Sequence, residues 1–219
     1  MKIKIYSALY GAYEEPKPLP AGTRGLLFTE RRYLARGWSC KLVDHHIVTR
    51  RGDPALTAPM LAHKYWKCHP GEAVPDADVS VWLDSSISLD DGFIDRAVEA
   101  LGEDDWLLVR HPWRTCIYEE AAYSGTLPRY QSLSANLEMQ SAWYKDLGHP
   151  VDGGLPATGI LVRRHTPKVL AASAHWWQEC LNWSHQDQVS LPVLLDMLKI
   201  KHRYGLEWQD GWTSYPHLK

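Results

Sequence analysis

The sequence has few of the features that mark secreted, zinc-stabilised or membrane proteins. Its 219 residues contain four cysteines without a CxxC pair or an even spacing, which argues against a disulfide framework and a structural zinc site. No apolar run approaches the roughly 20 residues of a membrane helix, and the initial MKIKIYSALYG is too short and too alternating for a signal peptide. We therefore expect a cytoplasmic protein with reduced thiols.

A strong net charge and the common phosphate-binding loops are also missing. The formal net charge of −2 gives no overall sign of a nucleic-acid or anionic-membrane partner, although a local basic groove is compatible with it. Neither GxxxxGK[ST] nor a strand–helix GxGxxG occurs. A diphosphate could still be held by Mg²⁺ or Mn²⁺, which typically binds one or two protein carboxylates plus substrate phosphates.

What is present is a regular alternation of strand and helix patterns. The predicted strands lie in residues 2–9, 24–30, 38–44, 78–86, 105–112 and 158–164, and the predicted helices in 89–102, 130–148, 166–183 and 187–200. With 45% hydrophobic residues, the chain can bury a large core. We expect one α/β domain, 1–219, with a mostly parallel central sheet flanked by helices and an extended tail from about residue 203.

The stretch DVSVWLDSS, residues 78–86, places an acid at the end of a buried strand. Val79, Val81 and Leu83 share one face, and Asp84 follows with no basic residue beside it. In open α/β sheets, ligands bind beyond the carboxyl ends of the strands. Asp84 is therefore either a metal ligand, with a following serine supplying a hydroxyl, or a turn residue, and Asp-Ser chemistry fits the turn about as well.

Six stretches occur in an order that resembles a known family. They are YSALYGAYE, LLFTE, HKYWKCHPGEAVPDADVSVWLDSSI, HPWRTCIYEEA, MQSAWYKDLGHPVDGGLPATGILVRRH and SHQDQVS. Together they resemble the TOD/MUCI-type glycosyltransferase-like family of bacteria and plants, over nearly the whole chain. More distantly, the layout is similar to family-8 glycosyltransferases such as glycogenin. That likeness implies a Rossmann-like GT-A fold, a nucleoside-diphosphate sugar donor with UDP favoured, and Mn²⁺ or Mg²⁺.

The resemblance implies a metal and donor site. Asp84 and Ser86 match the outer positions of the metal-binding triplet, where a serine replaces the usual second acid, and His217 resembles a metal-binding histidine near the C-terminus. The implied donor-binding residues are Tyr10, Gly11, Glu30, Lys64, Lys67, Asp84 and Thr158. Both lysines would approach the donor phosphates, and the alternative for each is a solvated helix face.

The resemblance also implies residues that act on the transferred sugar. Asp187 and Gln188 match an Asp-Gln pair that holds the reacting groups, and Arg114 would stabilise the departing phosphates, so we expect these three to be catalytic. The implied sugar- or acceptor-binding residues are His111, Glu119, Glu120, Gly154 and Ala157. Asp187 could instead be a helix cap, or a general base in an inverting reaction.

These features predict a metal-dependent glycosyltransferase that moves a sugar to a hydroxyl acceptor, with retention favoured by the family-8 likeness. The acceptor is open among a glycan, a small molecule and a modified DNA base. A phage-type DNA-modifying glycosyltransferase, a nucleotidyltransferase and a non-catalytic sugar- or nucleotide-binding domain remain as alternatives. A basic groove beside Asp84 would favour the DNA acceptor, and hydrolysis of a nucleotide sugar would separate an enzyme from a binding domain.

Overall fold

The structure, a computed structural model, describes residues 1–11, 14–44, 58–206 and 212–213. The strands are β1 (Ile3–Leu9), β2 (Gly25–Thr29), β3 (Trp38–Leu42), β4 (Val79–Leu83), β5 (Ser88–Leu89), β6 (Trp106–Arg110), β7 (Pro156–Arg164), β8 (His202–Leu206) and β9 (Trp212–Thr213). The α-helices are α1 (Ala58–Cys68), α2 (Pro70–Ala73), α3 (Phe93–Leu101), α4 (Ile117–Gly125), α5 (Ser134–Asp146), α6 (Pro167–Asn182) and α7 (Asp187–Met197), and a 3₁₀ helix spans Pro128–Leu133.

Seven strands form the central sheet in the order β3-β2-β1-β4-β7-β6-β8. β7 runs antiparallel to β4 and to β6, while the other neighbours pair in parallel, so six strands share one direction. The predicted α/β class with a mostly parallel sheet is therefore confirmed. Because β7 is reversed, its first residues meet the carboxyl ends of β4 and β6 at one edge of the sheet.

The sheet is buried on both faces. In β4, Val81 and Leu83 pack with Ile5 and Leu9 on one side, as their alternation predicts. Trp82, on the opposite side, is also fully buried and meets the Tyr6 ring edge-on at 5.2 Å between centroids. Helices cover both faces, and near-continuous burial is what sheets of this kind require.

Local signals account for the ends of several helices. Thr166 caps α6 by accepting a hydrogen bond from the Val169 amide at 3.2 Å, and Pro167 is the first helical residue, as predicted. α3 ends at Leu101, and the next residue is the C-cap Gly102, whose φ of 54° favours glycine. Within the described ranges, no helix has the length and hydropathy to cross a bilayer.

Besides α1 and α4, which were not predicted as helices, two further regions differ from the sequence-based expectation. The stretch 130–148 forms the end of a 3₁₀ helix followed by α5, where one helix was predicted. β8, which was not predicted as a strand, pairs in parallel with β6 at the edge of the sheet. The first residues of the predicted tail therefore belong to the central sheet.

Candidate active site

A cavity of about 780 Å³ opens at the edge where β4 and β6 end and β7 begins. α1, α4, the 3₁₀ helix and the start of α7 also contribute to its walls. Its lining residues are Glu14, Met60, His63, Lys64, Lys67, Asp84, Ser85, Ser86, His111, Pro112, Trp113, Arg114, Glu120, Tyr123, Leu127, Pro128, Arg129, Tyr130, Ala157, Thr158, Gly159, Gln186, Asp187 and Gln188.

Asp84 begins a turn with its backbone and presents its carboxylate to the cavity. Its carbonyl accepts a hydrogen bond from the Ile87 amide at 3.0 Å, and its amide donates to the Gly159 carbonyl at 2.8 Å. Its Oδ1 accepts a hydrogen bond from Trp82 Nε1 at 2.7 Å, and the side chain is 24% exposed. The turn and ligand interpretations are therefore compatible, because different atoms of Asp84 serve each.

The environment of Asp84 keeps its carboxylate ionised. Burial alone would raise the pKa of Asp84, but the Lys67 charge and the nearby His63 lower it below its ordinary value. Lys67 Nζ lies 3.9 Å and His63 Nε2 3.6 Å from Asp84 Oδ1. Burial lowers the pKa of His63, although Asp84 opposes that shift. A negative carboxylate therefore faces the cavity at neutral pH.

Asp187 is the centre of a buried ion-pair network. Its Oδ2 is 2.6 Å from Lys64 Nζ and 2.8 Å from Lys67 Nζ. Its Oδ1 accepts a hydrogen bond from Thr158 Oγ1 at 2.9 Å, and Lys67 Nζ donates to the same hydroxyl at 3.0 Å. The exposed fractions are 7% for Lys64, 1% for Lys67 and 1% for Asp187, so neither lysine lies on a solvated helix face.

The position of Asp187 excludes a simple capping role. It is the first residue of α7, the N-cap residue is Gln186, and the Asp187 carboxylate points to the two lysines and Thr158. Burial would raise the pKa of Asp187, but the charges of Lys64 and Lys67 lower it well below its ordinary range. Burial opposes the charge on Lys64, yet Asp187 raises the pKa of Lys64 above its ordinary value. Asp187 and Lys64 are therefore both ionised at neutral pH.

Glu120 forms a second buried cluster in the lining of the cavity. Its Oε1 accepts hydrogen bonds from Gln186 Nε2 at 2.7 Å and Ser124 Oγ at 3.1 Å, while Oε2 accepts from Arg114 Nε. His111 Nε2 lies 3.8 Å from the same Oε2. Both carboxylate oxygens are thus engaged, so Glu120 positions Arg114 and Gln186.

Aromatic side chains form the outer rim next to this second cluster. The Arg114 guanidinium stacks over the Tyr123 ring at 4.1 Å. Trp113 is 56% exposed and Tyr123 is 47% exposed, and both line the cavity. Burial and the Arg114 charge lower the pKa of His111 to about 4, so its imidazole is neutral at pH 7. An amphipathic rim of this kind suits a sugar ring, which has apolar faces and polar edges.

The structure brings most of the predicted site residues to one cavity. Eleven of them line it: Lys64, Lys67, Asp84, Ser86, His111, Arg114, Glu120, Ala157, Thr158, Asp187 and Gln188. Gln188 also donates from Nε2 to the Pro156 carbonyl at 2.9 Å, which ties α7 to the start of β7. The shared location follows from the strand order, because the start of β7 lies between the carboxyl ends of β4 and β6.

Five predicted residues lie outside the lining of this cavity. Tyr10 is buried, and its hydroxyl accepts a hydrogen bond from Trp66 Nε1 at 2.9 Å. The Gly11 amide donates to Glu30 Oε1 at 3.0 Å, which joins the ends of β1 and β2 on the same edge of the sheet. Glu119 is exposed on α4, and Gly154 adopts a φ of 89° close to Tyr204. His217 lies outside the described residues.

The sequence analysis missed several lining residues. His63 faces Asp84, Gln186 donates a hydrogen bond to Glu120, and the Tyr130 hydroxyl donates to Gln186. His63 stands one residue before Lys64 and one helical turn before Lys67. A helix prediction for residues 58–68 would therefore have placed all three on one face, because residues one turn apart on a helix share a face.

The residues that face the cavity can accommodate a divalent cation only in part. Among the described residues, no group of three or more His, Cys, Asp or Glu side chains is arranged around a common point. The lining contains four basic residues (Lys64, Lys67, Arg114 and Arg129) and four acidic residues (Glu14, Asp84, Glu120 and Asp187). A diphosphate would therefore add negative charge to a balanced lining. One carboxylate plus substrate phosphates is a common way to hold Mg²⁺ or Mn²⁺, so Asp84 fits such an ion when a diphosphate is bound.

The family profile of the TOD1/MUCI70 glycosyltransferase-like domain matches residues 64–209. The chain belongs to this family. The matched region includes both lysines, Asp84, the Glu120 cluster and Asp187. Comparison with curated protein sequences gives no match.

Solved glycosyltransferase structures share the fold at low sequence identity. WbbM, a bifunctional glycosyltransferase, superposes with a TM-score of 0.55 at 12% identity over 93% of this chain and 38% of its own. Yeast (S. cerevisiae) mannosyltransferase Ktr4p gives 0.51 at 7% identity over 98% and 70%. Mouse xyloside xylosyltransferase 1 gives 0.50 at 9% identity over 93% and 85%. The GT-A-like architecture is therefore established, and the chain spans little more than a third of WbbM.

Proposed function

We propose that this protein is a glycosyltransferase that moves a sugar from a nucleoside-diphosphate sugar, with UDP favoured, to a hydroxyl acceptor. One observation carries the proposal: Asp84, at the end of β4, opens onto the same cavity as the buried Lys64–Lys67–Asp187 network. Such a cavity combines a charged region for a diphosphate with a rigid, preorganised site for the reacting sugar.

The order of the strands suggests how the donor lies. Tyr10 and Glu30 follow β1 and β2, Asp84 follows β4, and Thr158 lies near the start of β7. Neighbouring strands are about 4.8 Å apart, so this row extends over a distance comparable to a nucleotide sugar. We place the nucleoside near the ends of β1 and β2, the diphosphate beside Asp84, and the sugar near Thr158 and Asp187.

A divalent cation is part of the proposal. Asp84 and Ser86 would hold it together with the donor diphosphate. When bound, such an ion would neutralise charge on the departing diphosphate. Asp187 and Asp84 together balance Lys64 and Lys67, so the two lysines offset little additional negative charge by themselves. The balanced charge of the lining supports the expectation of Mn²⁺ or Mg²⁺.

The contacts of Asp187 favour a positioning role over a general base. Lys64 and Lys67 occupy its Oδ2, and Thr158 occupies its Oδ1. A general base needs a pKa near the working pH and an accessible lone pair, and Asp187 has neither. Glu120 is similarly engaged. We therefore propose retention at the anomeric carbon, in which the departing phosphate oxygen can accept the acceptor proton.

The charges and the aromatic rings of the cavity lining indicate which kind of acceptor it suits. The described lining has no excess of basic residues, so it offers little attraction to the backbone of a DNA acceptor. The exposed Trp113 and Tyr123 rings beside Arg114 are better suited to a carbohydrate. We place the acceptor at this aromatic rim, on the far side of the cavity from the end of β1.

Calorimetry and donor turnover test the proposal together. UDP should bind more tightly with Mn²⁺ than with a chelator, because coupling between two ligands is reciprocal. A panel of nucleotide sugars with Mn²⁺ should show slow hydrolysis of at least one donor. Asp84→Asn should lower that turnover about 100-fold or more, with a small change in stability. Failure of every nucleoside diphosphate to bind would refute the donor assignment, and release of pyrophosphate would indicate a nucleotidyltransferase.

The stereochemical proposal has its own test. The anomeric configuration of the first-formed product, followed by NMR, should match that of the donor. An inverted product would require a base within the cavity and would contradict the positioning role of Asp187.

A further inference from the structure

His63 and Asp84 face each other across a short gap in the cavity. His63 Nε2 is 3.6 Å from Asp84 Oδ1, and both residues line the cavity. Two ligands of one ion, each bound at about 2.1 Å, lie about 3.0 Å apart at a right angle and at most about 4.2 Å apart. The observed separation therefore falls within the range for two ligands of one ion.

Trp82 orients both side chains. Its Nε1 donates a hydrogen bond to Asp84 Oδ1 at 2.7 Å, and its ring meets the His63 ring edge-on at 5.1 Å between centroids. Trp82 is fully buried in the core, so this support is rigid. Metal ligands are commonly held in position by such outer partners.

The neighbouring lysine does not prevent cation binding at this point. Lys67 Nζ is 3.9 Å from Asp84 Oδ1 but only 2.8 Å from Asp187 Oδ2. Lys67 therefore pairs closely with Asp187 and stands beyond hydrogen-bond distance of Asp84 Oδ1. Ser86 occupies the position at which the metal-binding triplet usually has its second acid. A cation at Asp84 therefore needs a donor atom from another residue.

We propose that His63 is the second protein ligand of the divalent cation and takes the role of the acid that Ser86 replaces. The inference rests on the proposed function, since the ion is expected to bind with a nucleoside diphosphate. An imidazole is a softer ligand than a carboxylate, so one His and one Asp should favour Mn²⁺ over Mg²⁺.

Binding measurements on a matched pair of histidine variants test this assignment. His111 is the control, because its Nε2 also faces an acid, at 3.8 Å from Glu120 Oε2, but that carboxylate is already saturated. Electron paramagnetic resonance titration of Mn²⁺ in the presence of UDP should show about 10-fold or greater loss of affinity in His63→Gln. His111→Gln should keep the Mn²⁺ affinity of the wild type, and His63→Gln should also lose preference for Mn²⁺ over Mg²⁺.

A cysteine at position 63 gives a readout that does not depend on loss of binding. His63→Cys should bind Cd²⁺ more tightly relative to Mn²⁺ than the wild type does, because a thiolate prefers a softer ion. Melting temperatures of the variants verify that each one is folded.

The outcomes separate this inference from the proposed function. Unchanged Mn²⁺ affinity in His63→Gln, with UDP still bound, would overturn the role of His63 and leave the glycosyltransferase proposal intact. Equal UDP affinity with Mn²⁺ and with chelator in the wild type would overturn the metal site while keeping donor binding. A wild-type protein that binds no nucleoside diphosphate would overturn both.

Discussion

Asp187 and Glu120 are both buried acids that line the cavity, but they are paired in different ways. Asp187 forms ion pairs with two buried lysines and accepts a hydrogen bond from a threonine. These groups are almost fully shielded from water. Glu120 pairs with Arg114, whose side chain is 19% exposed, and with the neutral side chains of Gln186 and Ser124. The first cluster is a rigid, desolvated floor, whereas the second borders the solvent-exposed aromatic rim. This difference is consistent with the fixed donor site and the open acceptor side that we propose.

Removal of the charge on Asp187 should have the largest effect on stability. Asp187→Asn removes the carboxylate that pairs with both buried lysines and leaves only the more distant Asp84 beside Lys67. Breaking a buried pair in this way costs about 3–5 kcal/mol. Urea denaturation should show the loss as a lower midpoint. Asp196→Asn is the control, because Asp196 lies on the same helix with a side chain 49% exposed. A loss below about 1 kcal/mol would mean that the lysines do not depend on Asp187.

The double variant Lys64→Met with Asp187→Asn sharpens the same result. The double variant removes one positive and one negative charge and so restores the charge balance. Its loss of stability should therefore be smaller than the sum of the losses in the two single variants. Additive losses in the double-mutant cycle would show that the pair is not coupled.

The Glu120 cluster should respond less strongly. Glu120→Gln removes the ionic partner of Arg114 but keeps an oxygen for its neighbours, and we expect about 1–3 kcal/mol of destabilisation. Glu119→Gln, one residue away and exposed, should change stability by less than about 0.5 kcal/mol. A loss equal to that of Asp187→Asn would remove the distinction between the two clusters.

The decrease in stability at acid pH should include a contribution from His185, which lies beside the Asp187 network. Burial and the Lys64 charge lower the pKa of His185 to about 4, below the 6.5 of a free histidine. Between these values the unfolded chain binds a proton that the folded protein excludes. His185 therefore reduces stability as the pH falls from 6.5 towards 4, by about 1.4 kcal/mol per pH unit at most.

The measurement is the free energy of unfolding between pH 7 and pH 4. His185→Gln should show a shallower decline than the wild type, and His175→Gln, at an exposed position of α6, should follow the wild type. An identical slope in His185→Gln would contradict the exclusion of the proton.

The smallest effect on stability is expected at the rim. Trp113→Ala should change the free energy of unfolding by no more than about 0.5 kcal/mol, because more than half of the side chain is exposed. It should lower the ratio of sugar transfer to donor hydrolysis, since we propose that the donor binds elsewhere in the cavity. A parallel fall in hydrolysis would place Trp113 on the donor side.

Much of the fold could be predicted from local patterns. Thr166 with Pro167 predicted the start of α6, and the period-two pattern before Asp84 predicted β4. α1 and α4 were not predicted, because each presents polar side chains to the interior. Lys64 and Lys67 on α1, and Glu120 on α4, resemble solvated residues in a sequence, since buried charges are rare.

The sequence by itself determined that strands and helices alternate and that an acid ends the fourth strand. The resemblance of its ordered motifs to a family led to most of the residues that line the cavity. Only the tertiary structure decided the partners of those residues, because contacts such as Lys64 with Asp187 join positions 123 residues apart. A pattern of apolar and polar residues records burial along one element. It carries no information on which charge on another element balances a buried group, and that balance decides what Asp84, Asp187 and Glu120 can do.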